Sequence, residues 1–152
     1  MSTLQIILVV IVAFIVGCSS VNDQIETYQP IVACSLIGLV TGHLELGIML
    51  GGSLQLITMG WANVGAAMAP DAALAGVASA IILIEGNQGA QGIGPAIALA
   101  VPLAVAGLGL TMLVRTATVF IAHIMDSRAE EADINGIQMW HFIGMALQGL
   151  RV

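Results

Sequence analysis

One apolar stretch of the sequence, residues 51–75, carries side chains suited to binding a polar ligand. Its polar groups are Gln55, Thr58, Trp61, Asn63 and Asp71. Pro70 interrupts the helix immediately before the acid. Polar side chains at membrane depth usually face a cavity and mark a substrate path, and irregular backbone is tolerated there only where protein buries it or where it lines such a cavity. The stretch therefore predicts a polar binding site inside a membrane protein.

The composition indicates that the chain lies in a membrane. Of its 152 residues, 59% are hydrophobic and 8% are charged, and the mean hydropathy is +1.03. A soluble domain carries about a quarter charged residues. The spacing of the apolar runs predicts an all-α integral membrane protein with multiple transmembrane helices and broken or re-entrant helical hairpins. We expect a single membrane domain over residues 1–152.

The charge balance excludes some kinds of partner. Nine acidic residues against three basic ones give a net charge of −6. Nucleic acid needs basic side chains to neutralise its phosphates, so it is not a predicted partner, and a polybasic membrane anchor is excluded for the same reason. Cys18 and Cys34 lie in apolar runs and do not have the spacing of metal ligands. We expect both to act as small buried apolar side chains, and nothing requires a disulfide between them.

The first apolar run, residues 4–17, is compatible with a signal peptide, a lipoprotein leader or a retained membrane helix. No Lys or Arg precedes it, which favours the retained helix. Residues 19–30 are polar and predict a loop or interfacial turn that ends at Pro30. Residues 31–41 resume as an apolar helix too short to span a membrane, which needs about 20 residues.

A short polar turn at residues 42–45 is predicted to join two half-helices. His43 and Glu45 are two positions apart and point to different faces of a helix, so they do not predict a metal site. Four glycines around this turn have the small-xxx-small spacing that lets helices approach closely in lipid. They are Gly38, Gly42, Gly47 and Gly51.

The second half of the chain predicts three further elements and their connections. Residues 72–84 read as a helix, and the glycine-rich segment 85–94 as a flexible connection, because it lacks the lysine of a phosphate-binding loop. Residues 96–125 predict a long helix that Pro102 should kink. Within it, Arg115 must snorkel, pair with an acid or line a polar interior. Residues 126–136 read as a solvated loop, and residues 137–152 as a further apolar segment with Trp140 and His141 as interfacial anchors.

The stretch GGSLQLITMGWANVGAAMAPDAALA, preceded by IVACSLIGLVTGHLELGIML and followed by AIALAVPLAVAG, resembles the enzyme IIC permease subunit of the mannose-type phosphotransferase system. The similarity continues through VRT, HIMD and the closing MALQGLRV. It covers about the first half of a family member, or somewhat more. The chain is therefore interpreted as the front portion of a longer permease, or as one that a partner completes.

The resemblance implies a multi-pass subunit of the bacterial inner membrane that binds and translocates a hexose such as mannose, glucose, glucosamine, fructose or sorbose. It implies a second membrane subunit, enzyme IID, and enzymes IIA and IIB, which relay phosphate to the incoming sugar. The IIC subunit itself would be a transport subunit without cofactor, metal or chemistry of its own. Larger homo-oligomers of IIC–IID pairs are implied, and some members are bacteriocin receptors.

Within the matched motif, Gln55, Asn63 and Asp71 are the residues expected at the sugar, because amides and carboxylates supply the donors and acceptors that hydroxyls need. Trp61 is expected either to stack on the sugar or to pack between helices. For the three polar residues, the alternative is that they cap broken helices or bond freed backbone groups.

The sequence departs from the family pattern in the first loop, at residues 17–30, and at Glu85, where relatives are usually apolar or small. These departures affect loop-specific traits such as bacteriocin recognition. Two other functions stay open: an ion-coupled transporter in which Asp71 and Glu85 titrate, and a structural subunit or docking surface without a sugar site.

Overall fold

The computed structural model describes residues 1–22, 26–65 and 67–152, which form six α-helices and no β-strand. The helices are α1 (Thr3–Asn22), α2 (Pro30–Thr41), α3 (Leu44–Thr58), α4 (Ala72–Glu85), α5 (Ile93–Glu130) and α6 (Ile134–Gly149). Helix α1, and α5 with the 3₁₀ turn that precedes it, are long and apolar enough to cross a membrane, whereas α2, α3 and α4 are shorter apolar helices.

Helices α2 and α3 form the predicted hairpin of two half-helices. Pro30 occupies the first position of α2, where its missing N–H costs no helical hydrogen bond. Gly42 ends α2 in the left-handed conformation, with a φ of 84°, and the N–H of His43 donates to the carbonyl of Gly38 at 2.7 Å. A glycine is favoured at such a position because it has no Cβ. The prediction of a helix-packing role for Gly42 is therefore wrong, since it forms the turn.

The other three glycines of that group have the predicted packing role. A Cβ added to Gly38 would lie 3.1 Å from the Cα of Gly47, and one added to Gly51 would lie 2.8 Å from the Cα of Ile31. These distances leave no room for a side chain, so the glycines allow α2 and α3 to approach backbone to backbone.

The core lies where the hairpin meets its neighbours. Helix α4 packs against α2, α3 and α5, while α6 packs against α1 and α5. The buried side chains there include Val16, Cys34, Ile37, Leu50 and Leu54. Cys34 is buried and Cys18 half-buried, and both are free thiols. Large apolar side chains on the outer faces of α1 and α5 are exposed, among them Leu4, Val10, Leu113 and Phe120, as expected of helices that contact lipid.

The predicted loop at residues 19–30 is wrong at both of its ends. Helix α1 continues to Asn22, and Pro30 is already part of α2. Ser20 Oγ donates to the carbonyl of Gly17 at 2.8 Å, so this polar side chain is satisfied within the helix. Of the remaining predicted loop, residues 23–25 lie outside the described residues, and the N–H of Gln29 donates to the carbonyl of Glu26 in a turn (2.9 Å).

The predicted solvated loop at residues 126–136 is also wrong, because most of it is helical. Helix α5 continues to Glu130, and α6 begins at Ile134 after three connecting residues. Ser127 Oγ donates to a carbonyl one turn earlier at 3.2 Å, and Asp133 caps α6 by accepting from the N–H of Gly136 at 3.0 Å. The charged side chains of this segment indicated exposure to water. The exposed end of a helix gives them that exposure as well as a loop does, so their charge did not predict a loop.

The glycine-rich segment 85–94 connects two helices, as predicted. Glu85 is the last residue of α4, and a 3₁₀ turn at Gly89–Gly92 leads into α5. The carboxylate of Glu85 is about half exposed and lies 3.3 Å from the N-terminal amine of Met1. Glu85 and Asn87 line one pocket together with Thr41 and His43, so the segment lies at the end of the molecule at which α2 turns into α3.

Candidate functional site

The break between α3 and α4 lies where the sequence predicted it, and it forms one wall of the candidate site. Within the break, Val64 and Ala67 exchange backbone hydrogen bonds of 3.1 and 3.0 Å. The side-chain oxygen of Asn63 accepts from the N–H of Ala69 at 2.8 Å. These bonds satisfy backbone groups that the end of a helix leaves free. The break is therefore a hydrogen-bonded turn with polar side chains around it.

Asp71 joins this turn to two helices. Its Oδ1 accepts from the N–H of Leu74 at 3.2 Å and so caps α4. Its own N–H donates to the carbonyl of Ala104 in α5 at 3.0 Å. Gly107 makes this approach possible, because a Cβ there would lie 2.9 Å from the Cβ of Asp71. The acid is thus fixed between the start of α4 and the middle of α5.

A buried ion pair joins Asp71 to Arg151, which follows α6. The Nε of Arg151 lies 3.3 Å from Oδ2 of Asp71, and the two side chains are 5% and 6% exposed. Arg151 also donates to Thr111 Oγ1 at 2.9 Å and to Ser20 Oγ at 2.8 Å. Thr111 Oγ1 in turn lies 3.2 Å from Oδ2 of Asp71. Burying two charges is costly unless they are paired and hydrogen-bonded, and this network meets both conditions.

The guanidinium group of Arg151 has donors to spare. A guanidinium carries five N–H groups, and two of them serve Thr111 and Ser20. The Nε–H is buried and makes no hydrogen bond within the described part of the chain. The contact of 3.3 Å with Asp71 is therefore an ion pair without a hydrogen bond from Nε.

These residues surround a hollow of about 180 Å³. Its polar lining includes Ser20, Asn63, Asp71, Thr111, Arg115 and Arg151. Two aromatic residues, Tyr28 and Trp61, complete the wall. A cavity with this lining holds water or a small polar ligand rather than an apolar one.

The structure brings together three of the four sequence-predicted site residues. Trp61, Asn63 and Asp71 all line the hollow. Trp61 also packs against an apolar cluster formed by Leu54, Ala75, Ala100 and Ala104, so both roles weighed for it from sequence are compatible with its position. Asp71 and Asn63 likewise bond backbone groups while lining the hollow.

Gln55 lies outside the lining of the hollow. Its side-chain oxygen accepts from the N–H of Ile31 at 3.3 Å, in the first turn of α2, and its amide nitrogen donates to the side chain of Gln29. Gln55 therefore agrees with the alternative considered from sequence, in which an amide side chain bonds the free backbone groups at the end of a broken helix.

Sequence reasoning missed Arg151, Thr111 and Ser20 as lining residues. Arg151 contributed only to the count of charges, although a signal was available: a chain with three basic residues cannot bury one of them without an acid. Its partner, Asp71, is far away in sequence, and no local spacing connects the two. Arg115 lines the polar hollow and is exposed there. Of the three alternatives considered for it, a position at a polar interior agrees best with this placement.

The structure also separates the two carboxylates of the ion-transport alternative. Asp71 precedes α4 and Glu85 ends it, so the length of a 14-residue helix, about 20 Å, lies between them. Within the described residues, no group of three or more His, Cys, Asp or Glu side chains is placed to hold a metal ion.

Comparison with known proteins connects this architecture to one family. Residues 3–152 match the family model described as the PTS system sorbose-specific IIC component, where PTS denotes the phosphotransferase system. Over 152 residues the chain is 53% identical to the fructose permease IIC component of Bacillus subtilis, covering 100% of this chain and 55% of that protein. It is 47% identical over 151 residues to the mannose-specific EIIC component of Escherichia coli K12, covering 99% of this chain and 56% of the relative.

A solved structure agrees with the fold in detail. The chain superimposes with a TM-score of 0.93 and 47% identity on a chain of the cryo-EM structure of the mannose transporter ManYZ in complex with microcin E492, covering 100% of this chain and 60% of that one. This agreement confirms the predicted all-α membrane fold. The chain spans little more than half the length of the curated relatives it matches.

Proposed function

Because this chain belongs to the family of sorbose-specific IIC components of the phosphotransferase system, as the resemblance predicted, we propose that the whole protein is the membrane permease subunit of a sugar phosphotransferase system. It binds a hexose and exposes it to a phosphorylated partner. The relatives named for fructose, mannose and sorbose support this substrate class.

The polar hollow at the helix break is the observation that carries the proposal. A hexose presents hydroxyl groups that both donate and accept. The amide nitrogen of Asn63 has no hydrogen-bond partner among the described residues, since only its oxygen is used. The guanidinium of Arg151 adds unused donors, and Trp61 adds an aromatic face on which the apolar side of a sugar can stack.

We assign different parts to the four residues that sequence reasoning placed at the sugar. Asn63 and Trp61 contact the hexose directly. The carboxylate of Asp71 lines the hollow and keeps Arg151 turned toward the ligand, because the two are held at 3.3 Å. Gln55 supports the site from behind by capping α2.

The proposed setting is the bacterial inner membrane, with an enzyme IID subunit as the membrane partner and phosphorylated enzyme IIB as the phosphoryl donor. The subunit performs no phosphoryl transfer itself. Assembly of IIC–IID pairs into larger oligomers and recognition by a bacteriocin belong to the same proposal. The matched mannose transporter forms a complex with microcin E492, which supports the last part.

The test compares Asn63→Asp with Asn135→Asp in the intact protein, purified with its membrane partner. The first change keeps the oxygen that the turn uses and removes the free amide donor. Both asparagines are exposed, but Asn63 lines the hollow and Asn135, in α6, does not. Loss of a hydrogen bond to the sugar should weaken hexose binding by about tenfold, and Asn135→Asp should bind like the wild type. If the wild type binds none of fructose, mannose and sorbose, the proposal is wrong.

A second measurement separates this function from ion-coupled transport. Vesicles are supplied with phosphoenolpyruvate and the soluble phosphotransferase proteins while the proton gradient is collapsed. Accumulation of sugar phosphate under these conditions supports the permease, and no accumulation supports the ion-coupled alternative.

A further inference from the structure

The hollow carries more positive charge than a neutral sugar requires. The chain has three basic residues, Arg115, Arg128 and Arg151, and a net charge of −6. Two of those three arginines line the hollow, while Asp71 is the one carboxylate among the described residues that line it. The described lining therefore has a surplus of one positive charge, in a chain that is otherwise acidic.

Arg115 is the source of this surplus. It lies on α5 one turn after Thr111, and residues four apart on a helix share a face, with Cβ atoms about 6 Å apart. Thr111 contacts Arg151 at 2.9 Å, so both arginines face the same part of the hollow. Arg115 makes no ion pair or hydrogen bond within the described ranges. Arg115 is exposed at the wall of the hollow, so a ligand in the hollow can reach its guanidinium group. Because an unpaired arginine at membrane depth is costly, this position indicates an anion that arrives with a ligand.

Arg151 supplies a second, independent observation. Its side chain is 5% exposed, and yet its Nε–H finds no acceptor among the described residues. A buried donor without a partner costs free energy, so the described residues leave part of the hydrogen-bonding capacity of this guanidinium group unused. A phosphoryl group matches the pair of arginines well, since it carries about −1.5 to −2 charge and three strong acceptor oxygens, and the guanidinium fork binds such oxygens in pairs.

We propose that Arg115 and Arg151 form a phosphoryl-binding subsite of the hollow, beside the sugar site. It takes the phosphate of a hexose phosphate, or the phosphoryl group of the partner that delivers it. The subsite binds the group and performs no transfer. This inference rests on the proposed function, and it deepens that function by stating what the hollow binds after or during phosphorylation.

The experiment measures equilibrium binding of mannose, mannose 6-phosphate and inorganic phosphate to the intact complex in discs of neutral phosphatidylcholine. The variants are Arg115→Gln, Arg115→Lys and the control Arg128→Gln, whose residue is exposed and paired with Glu131 outside the hollow. Loss of a charge-assisted contact should weaken mannose 6-phosphate binding by about tenfold or more in Arg115→Gln. Mannose binding should weaken much less than mannose 6-phosphate binding, Arg115→Lys should recover part of the loss, and Arg128→Gln should match the wild type.

A transport assay distinguishes the two sources of the phosphoryl group. If Arg115→Gln leaves mannose 6-phosphate binding intact but raises the KM for the phosphorylated IIB partner, the donor occupies the subsite. If adding anionic phosphatidylglycerol to the discs abolishes the difference between the wild type and Arg115→Gln, a lipid headgroup occupies Arg115 and the proposal is overturned.

Other outcomes separate this inference from the proposed function. Equal responses of Arg115→Gln and Arg128→Gln, with mannose still bound, overturn the subsite alone. A lower thermal midpoint of the Arg115→Gln complex, with unchanged binding and unchanged KM, also overturns it, because Arg115 then pairs with another part of the protein. If the wild type binds no hexose, the proposed function is wrong. The phosphoryl-binding subsite is then supported only if inorganic phosphate binds to the wild type and does not bind to Arg115→Gln.

Discussion

Arg151 Nε lies 3.3 Å from Oδ2 of Asp71, with the two side chains 5% and 6% exposed. The pair joins the turn before α4 to the residues that follow α6. Through Ser20 and Thr111, the same guanidinium also contacts α1 and α5. One buried ion pair therefore holds together the elements that surround the hollow.

Breaking this pair from either side should destabilise the protein strongly. Removing one partner of a buried pair typically costs about 3–5 kcal/mol, because the other charge stays buried and unpaired. We expect a large fall in the thermal midpoint of the intact protein in detergent for Asp71→Asn and for Arg151→Gln. The double variant should lose less than the sum of the single changes, by about 0.5–3 kcal/mol.

Arg128→Gln is the control for this cycle. Arg128 and Glu131 form an ion pair at 3.1 Å with side chains 45% and 64% exposed, and such surface pairs contribute about 0–1 kcal/mol. Strictly additive losses in the double variant would show that Asp71 and Arg151 act independently, contrary to the structure.

Local signals in the sequence predicted the half-helices and the helix break. The start of α2 was predicted to within one residue, at 31 instead of Pro30. The short apolar run predicted a half-helix, and Pro70 marked the break before α4. Contacts between residues far apart in the chain could not be predicted from the sequence. The pairing of Asp71 with Arg151 depends on how α6 folds back against α1 and α5, and no spacing in the chain encodes that contact.

The two wrongly predicted loops have a common cause, because a polar residue does not by itself end a helix. Ser20 and Ser127 each bond a carbonyl of the preceding turn (2.8 and 3.2 Å), so α1 and α5 continue through polar residues. The prediction for Gly42 failed for a different reason. Its spacing suited helix packing, but a φ of 84° places it in a turn. Spacing alone cannot distinguish a glycine needed for its small size from one needed for its backbone conformation.

Two adjacent glycines in α3 should respond in opposite directions to alanine. A Cβ on Gly51 would lie 2.8 Å from the Cα of Ile31 and 2.9 Å from the carbonyl oxygen of Pro30, whereas one on Gly52 would meet nothing within 4 Å. Gly51→Ala should cost about 1–3 kcal/mol by pushing the hairpin apart. Gly52→Ala should be neutral or stabilising by up to about 1 kcal/mol, because alanine favours the helix.

The thermal midpoint of each glycine variant tests this prediction. Equal midpoints for the two would mean that α2 and α3 are not packed backbone to backbone. Hexose binding should persist in Gly52→Ala, which keeps the hairpin unchanged.

Gln55→Ala distinguishes a capping residue from a sugar ligand. The amide oxygen accepts from the N–H of Ile31 at 3.3 Å, so its removal leaves a free donor in the first turn of α2. We expect a loss of about 1 kcal/mol in stability with unchanged hexose affinity below the unfolding transition. A large loss of affinity at unchanged thermal midpoint would instead place Gln55 at the sugar.

Trp61 should report on hexose binding through its fluorescence. It lines the hollow and packs on Leu54 and its neighbours, whereas Trp140 lines a different cavity, between α5 and α6. A stacked sugar excludes water from the indole, so hexose should change the emission of the wild type and of Trp140→Phe, and the change should be absent in Trp61→Phe. Trp61→Leu, which keeps apolar volume but removes the aromatic face, should weaken binding by about three- to tenfold, as expected for a contact of about 0.5–1.5 kcal/mol. A hexose-induced change that persists in Trp61→Phe and disappears in Trp140→Phe would place the sugar in the other cavity.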